Sequence, residues 1–113
     1  MHTIPCPCCG FLTLEGAYGS HAICPLCAWE DDPVQLANPT STGGANSRSL
    51  AEAQSLAMVK YSATINLAAG YRRSHSWRPL SEMELMAANA KRDLNHWHTP
   101  AVVSESEAYW SVI

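Results

Sequence analysis

Two cysteine pairs constrain this chain more than any other feature of its sequence. Each pair holds two thiols three positions apart in a turn that begins Cys-Pro, and the pairs are Cys6 with Cys9 and Cys24 with Cys27. A tetrahedral Zn²⁺ takes thiolate ligands at about 2.3 Å, and two facing turns of this kind supply all of them. The proline in each turn holds φ near −65°, which favours the bend. The spacing therefore predicts one structural zinc ion, because a full set of protein ligands leaves no open coordination position.

The cysteine turns belong to a longer set of motifs that occur in order. In the chain they are Cys6-Pro7-Cys8-Cys9-Gly10, Ile23-Cys24-Pro25-Leu26-Cys27, Trp29-Glu30-Asp31-Asp32, Gly43-Gly44-Ala45-Asn46 and Ser49-Leu50-Ala51-Glu52-Ala53. Over residues 4–62 this pattern resembles the bacterial cysteine-rich CPCC family. The resemblance implies a small zinc-ribbon protein without an established enzymatic activity. Some relatives lie beside toxin genes, so the resemblance also suggests an immunity role. After Tyr61 the chain departs from the pattern.

Composition limits the class of protein. A length of 113 residues predicts one domain with a modest core, and 47% hydrophobic with 15% charged residues argues against disorder. No apolar run approaches eighteen residues, so we expect no transmembrane helix. Residues 1–5 lack the basic and apolar parts of a signal peptide, and cysteines in metal spacing are typical of a reducing compartment. We therefore expect a cytoplasmic protein.

The expected fold class is α+β, with a four-cysteine zinc ribbon packed on a small set of helices. The predicted divisions are a ribbon at 1–32, a connector loop at 33–48 and a mainly helical portion at 49–113 with an apolar tail. Residues 11–14 and 22–24 are predicted strands of a hairpin between the cysteine turns. The connector is rich in Pro, Gly, Ser, Thr and Asn and has no periodicity.

Two capping boxes predict helices that begin after Ser49 and Ser81. Apolar residues follow each cap at steps of three and four. They are Leu50, Ala53, Leu56, Ala57 and Tyr61 in the first helix, and Met83, Met86, Ala87, Ala90 and Leu94 in the second. We expect these two faces to pack together and against the ribbon, because the zinc hairpin alone buries too little surface for the whole chain.

The other C-terminal segments carry weaker patterns. Residues 71–79 are irregular, basic and aromatic. Residues 101–103 are a candidate strand, and the apolar residues 108–113 are expected to dock on the body of the domain.

Charge is unevenly distributed in a chain whose net charge is −3. The first forty residues contain four acids, Glu15, Glu30, Asp31 and Asp32, and no Lys or Arg. Nucleic-acid surfaces need cations to neutralise phosphates, so this distribution argues against a nucleic-acid-binding ribbon. Glu30, Asp31 and Asp32 are predicted partner-binding residues for a cationic protein, with helix capping or a solvated face as the alternative.

Histidines offer alternative metal ligands. His21 lies three residues before Cys24, and His96 and His98 would share one face of a strand. The four thiols are better placed than His21, and no Asp, Glu or Cys completes a site around the other two. We therefore expect surface or capping roles for these histidines.

Three hypotheses of function follow. No phosphate-binding loop, metallopeptidase helix or nucleophile elbow is present, so we expect a non-enzyme. The first hypothesis is a protein-binding module, most concretely an immunity protein that neutralises a bacterial toxin. The second is nucleic-acid binding through the arginine and aromatic residues of segment 71–78, from Tyr71 to Arg78. The third is a metal or redox sensor centred on Cys8, the thiol left over from the metal spacing.

Overall fold

The computed structural model describes residues 2–111, which form three helices and two small antiparallel sheets. In chain order the elements are β1 (Thr3–Ile4), β2 (Leu14–Glu15), α1 (Pro33–Ala37), α2 (Leu50–Lys60), β3 (Leu67–Ala68), β4 (Tyr71–Arg72), α3 (Glu82–Leu94) and a 3₁₀ turn at Glu105–Glu107. The predicted α+β class is confirmed. None of the helices within residues 2–111 has the length and apolar character needed to cross a bilayer.

The N-terminal pairing differs from the predicted hairpin. β1 pairs with β2, with Ile4 opposite Leu14, so the first cysteine turn lies between two strands of its own. Around the second turn, Ile23 likewise bridges Glu30. The prediction that residues 11–14 pair with residues 22–24 is wrong, because each cysteine turn reverses the chain and brings its own flanks together. Such local pairing closes a shorter loop than pairing between the two turns would.

Helix α2 begins as predicted and buries most of the predicted face, with one exception. Ser49 Oγ accepts a hydrogen bond from Glu52 N, and the Glu52 carboxylate accepts one from Ser49 N. The residues that α2 buries are Leu50, Gln54 and Ala57. Leu56, predicted to be in the core, is exposed. Gln54 takes the buried place because its amide group bonds Pro7 O and Tyr109 Oη, both at 2.9 Å or less.

Helix α3 also begins at the predicted capping box, formed by Ser81 and Glu84. However, its predicted apolar face points to solvent: Met83, Met86 and Leu94 are 79%, 71% and 91% exposed. The residue that α3 buries is Ala88. The prediction that the apolar faces of the two helices pack together is therefore wrong. Trp77 and Trp110, from the segments on either side of α3, join the core instead.

The connector is more ordered than its composition predicted, because buried polar groups hold it. It contains helix α1, which begins where Asp32 Oδ1 accepts from Val34 N and Gln35 N. The Gln35 side chain is fully buried, and its amide nitrogen donates to three carbonyls of the connector, those of Ser41, Asn46 and Arg48. Hydrophobic periodicity could not reveal this arrangement, since its members are polar.

A second hairpin includes residues 71–72, the start of the segment that the sequence predicted to be irregular. β3 and β4 pair through a two-residue turn, Ala69-Gly70, in which both residues have positive φ, 48° and 85°. Such turns suit tightly joined antiparallel strands. Residues 101–103, predicted as a strand, form no named strand, although Val102 N donates to Pro33 O.

The C-terminal tail packs on the body of the protein, as predicted for its described part. Ala108 and Trp110 are buried, and Trp110 makes an edge-to-face contact with Tyr18. Val112 and Ile113, which also belong to the predicted tail, lie outside the described residues. The core thus surrounds the cysteine turns and draws on the ribbon, α1, α2 and both C-terminal tryptophans.

Candidate metal centre

The two cysteine turns have the same backbone structure. In the first turn, Cys6 N donates to Phe11 O and Gly10 N donates to Cys6 O. The second turn repeats both bonds, from Cys24 N to Trp29 O and from Ala28 N to Cys24 O. Each turn ends in a residue with left-handed backbone, Gly10 at φ 80° and Ala28 at φ 66°. The two turns are therefore equivalent in their backbone hydrogen bonds and in the conformation of their last residue.

The turns bring Cys6, Cys9, Cys24 and Cys27 into one cluster, in which all four sulfurs lie within 4.8 Å of one another. Cys6 Sγ is 3.6 Å from Cys27 Sγ, and Cys9 Sγ is 3.8 Å from Cys24 Sγ. Four thiolates bound at about 2.3 Å to one tetrahedral ion lie about 3.8 Å apart. A disulfide would need a separation of about 2.05 Å. The predicted ligand residues thus have a spacing that fits a metal ion.

The ionisation of the cluster also favours a cation. Burial raises the pKa of the Cys6 thiol well above its usual range. Hydrogen bonds to the Cys24 sulfur raise the pKa of Cys9 and of Cys27 and hold that of Cys24 far below its usual range. Burial and these shared hydrogen bonds thus oppose the ionisation of several thiols at once. A bound divalent ion would supply the positive charge that lets all of them ionise.

Thr13 is a contact of the cluster that the sequence did not reveal. Its hydroxyl oxygen lies 3.2 Å from Cys24 Sγ, which places a donor beside the thiol with the lowest pKa. Hydrogen bonds to a coordinating sulfur tune its charge and orientation. A single threonine next to a strand carries no sequence motif, so no pattern could have identified it.

Arg73 is a second contact that sequence reasoning misplaced. It is only 8% exposed, and its Nε donates to Cys9 O at 3.1 Å. Its terminal nitrogens donate to three further carbonyls, those of Tyr61, Ser62 and Ile65. Within residues 2–111 no carboxylate forms an ion pair with it. Burial lowers the pKa of Arg73, and the hydrogen bond to Cys9 O places its guanidinium beside the cysteine cluster.

Trp77 covers the first cysteine turn. Its Nε1 donates to Pro7 O at 3.2 Å, and a Cβ added to Gly10 would lie 2.2 Å from its ring. Two members of the predicted arginine and aromatic patch at 71–78, Arg73 and Trp77, are therefore buried beside the cluster. Arg78 is exposed but is paired with Glu84. Arg72 and Arg78 thus remain exposed in this segment, whereas Arg73 and Trp77 do not contribute to its surface.

Two of the three residues predicted to form an acidic partner-binding surface are buried in the structure. Asp31 and Asp32 are 1% and 7% exposed. Asp31 Oδ2 accepts from Gly19 N and from both the backbone and the hydroxyl of Ser20. Asp32 caps α1, which was the predicted alternative. Only Glu30 reaches solvent, and its carboxylate lies 3.3 Å from His21 Nδ1.

The four-cysteine cluster is the one group of three or more metal-binding side chains found in residues 2–111, and neither His96 nor His98 belongs to it. His96 Nε2 contacts Thr42 O, and His98 Nδ1 contacts Thr99 Oγ1. Cys8 is buried and lines a cavity together with Cys27. Because Cys8 is buried, its thiol lacks the access to solvent that a redox or metal sensor needs.

Comparison with known proteins identifies a family that the sequence of this chain matches. The family model described as "Cysteine-rich CPCC" matches residues 4–75, well over half of the chain. The match continues past residue 62 through the β3–β4 hairpin and Arg73, so the departure predicted after Tyr61 begins later. No curated protein matches the chain.

Proposed function

We propose that this chain, which belongs to the cysteine-rich CPCC family, is a non-enzymatic protein with one structural zinc ion that acts by binding another protein. The observation that carries the proposal is the closed cluster of four sulfurs, three of them fully buried. A tetrahedral ion held there has every position filled by protein, so it stabilises the fold and has no site for a substrate.

The donor set supports zinc as the metal. Four thiolates are soft ligands that select zinc, copper(I) or iron over magnesium or calcium, and tetrahedral four-sulfur geometry is typical of structural zinc. The shared tight turns and the nearby donors Thr13 and Arg73 orient the ligands before the metal arrives. Reduced, metal-spaced thiols also suit a reducing compartment such as the cytoplasm.

Protein binding is supported by exposed apolar side chains on the surface of the protein. The stripe of Met83, Met86 and Leu94 on α3 leaves large apolar side chains in solvent, a feature of interaction surfaces. The burial of Arg73 and Trp77 counts against the nucleic-acid alternative. An immunity role against a bacterial toxin is the most concrete form of this function. Its support is the family resemblance, in which relatives lie beside toxin genes.

The metal assignment is tested by replacing the thiols singly. Serine at Cys6, Cys9, Cys24 or Cys27 should abolish stoichiometric zinc in elemental analysis and lose the tertiary signal in near-ultraviolet circular dichroism. Metal binding to small zinc domains contributes roughly 10–16 kcal/mol, so removal by a chelator should unfold the ribbon. Cys8→Ser is the matched control and should keep both zinc and fold. Full zinc in Cys24→Ser, or stoichiometric iron in the wild type, would refute the assignment.

Protein binding is tested with the zinc-loaded full chain. Affinity capture from the native host, followed by reconstitution from purified components, should give a stoichiometric complex with one protein. Tight binding of single-stranded or duplex nucleic acid at physiological salt, without any protein complex, would overturn the proposal in favour of the second hypothesis.

A further inference from the structure

A cavity of about 370 Å³ lies between the second cysteine turn, the end of the connector and helix α2. Its apolar lining includes Leu26 from the turn and Ala53, Leu56 and Ala57 from α2. Two small alanines on successive turns of α2 make room for an inserted side chain. The volume is that of a small ligand pocket, large enough for a few side chains and too small for a folded element.

The charge of the cavity is opposite to that of the protein as a whole. Arg48 and Lys60 line it, and its lining contains no Asp or Glu, in a chain of net charge −3. Both cations are exposed, and in the part of the chain that the structure describes neither forms a salt bridge. Glu52 interacts electrostatically with Arg48, but its carboxylate is already hydrogen-bonded to Ser49 N as part of the helix cap. The cavity thus combines an apolar floor with two cations at its rim.

We propose that this cavity binds a segment of a partner protein in which a carboxylate stands next to an apolar side chain. The apolar side chain enters between Leu26 and α2, and the carboxylate meets Arg48 and Lys60. Burying the apolar group supplies affinity, while the charged hydrogen bonds fix the orientation. This inference rests on the proposed protein-binding function and locates its docking site, in place of the acidic surface predicted from Glu30, Asp31 and Asp32.

Peptide is favoured over nucleic acid by the aromatic residues of the cavity. The Trp29 side chain is buried, and the Tyr61 ring is held edge-to-face against Phe11 with centroids 5.4 Å apart. Lys60 Nζ also lies 5.2 Å from the centroid of the Tyr61 ring, so it competes for the ring surface on which single-stranded bases would stack. Two cations also neutralise few phosphates, which limits binding to a polyanion at physiological salt.

The occupant would also lie over the metal centre. Cys27, the least buried of the four clustered cysteines, lines the same cavity. A bound segment would cover this sulfur and hinder attack on the metal by a chelator. Binding should therefore slow zinc transfer to a colorimetric chelator, a result that binding elsewhere on the protein would not produce.

The test uses zinc-loaded full-length protein labelled with ¹⁵N and an array of heptapeptides that place Glu or Asp beside Leu or Phe. Matched peptides carry Gln or Asn at the acidic position. At millimolar peptide, acidic members should shift the amide signals of residues 48, 53, 57 and 60, and their amide counterparts should not. Absence of such shifts across the array, or equal shifts with the neutral peptides, would overturn the inference.

Variants locate the site. Arg48→Gln and Lys60→Gln should each weaken binding of the best peptide roughly three- to tenfold, as expected for partly exposed charged contacts. Ala53→Leu, which fills the cavity, should abolish binding. Arg72→Gln removes the same charge from exposed strand β4 and should bind like wild type. Equal losses in Arg72→Gln and Lys60→Gln would show non-specific attraction and overturn the inference.

The same variants separate this inference from the function on which it rests. If the reconstituted protein partner binds wild type and the Arg48→Gln/Lys60→Gln double variant equally well, this cavity is not the docking site, whereas the protein-binding function stands. If the wild type forms no protein complex and instead binds a dT oligonucleotide through Arg48 and Lys60, both proposals fail.

Discussion

Arg73 is the residue whose removal tests the structure most directly. Its guanidinium joins the first cysteine turn to the end of α2 through four carbonyl acceptors, those of Cys9, Tyr61, Ser62 and Ile65. It also lies 4.4 Å above the Phe11 ring. A hydrogen bond to a charged group contributes about 1.5–3 kcal/mol, but bonds in one network do not add fully. Arg73→Leu should therefore lower the free energy of unfolding by about 3–5 kcal/mol, the cost of breaking a buried charged network.

The Arg73→Lys variant separates the contribution of the planar guanidinium geometry from the contribution of the positive charge. Arg73→Lys keeps the cation but cannot present planar, forked donors to carbonyls on two segments, so it should still cost about 1.5–3 kcal/mol. Because only the leucine variant removes the positive charge near the thiolates, it should also lose zinc to a competing chelator sooner than the lysine variant. Arg72→Leu, at the exposed neighbouring position, is the matched control.

The measurement is urea unfolding of the zinc-loaded proteins, followed by tryptophan fluorescence, with a chelator titration alongside. The result that would refute the reasoning is an Arg73→Leu variant whose stability is within about 0.5 kcal/mol of wild type, the range expected of a surface substitution. Equal zinc retention in the leucine and lysine variants would refute the electrostatic part alone.

Two further predictions concern the cysteine turns and the start of α3. Gly10→Ala should lower the free energy of unfolding by more than about 3 kcal/mol, because its Cβ would lie 2.2 Å from the Trp77 ring. Ala28→Gly, at the equivalent exposed position of the second turn, should change the free energy of unfolding by no more than about 1 kcal/mol. Similar thermal shifts in the two variants would contradict the packing of Trp77 over the first turn. The Arg78 guanidinium lowers the pKa of Glu84 to about 2, below its unfolded value of about 4.3. Glu84 therefore contributes stability above its unfolded pKa and loses it as pH falls through the folded pKa. The difference in unfolding free energy between wild type and Glu84→Gln, about 0.5–1 kcal/mol at neutral pH for this partly exposed pair, should vanish between about pH 5 and pH 2. A difference that is independent of pH would exclude the ion pair as its source.

Short-range chemistry was predictable from the sequence. The four clustered cysteines were recognisable because a tetrahedral metal site needs soft donors at a fixed spacing, and Cys-Pro turns provide that spacing within a few residues. Both long helices began at Ser49 and Ser81 because a capping box is closed by groups only three positions apart. The family pattern around the cysteines was predictable for the same reason, since its motifs are contiguous.

The sequence by itself thus determined the metal cluster, the α+β class and the helix starts, while tertiary structure decided which side chains entered the core. Met83, Met86 and Leu94 have helical periodicity, yet α3 turns them outward, and Trp77 and Trp110 from the segments on either side of α3 enter the core instead. Asp31 and Arg73 carry charges that suggested a surface, yet backbone donors and acceptors far along the chain make their burial favourable. Periodicity and charge describe one segment at a time. Burial depends on partners that only the folded chain brings together.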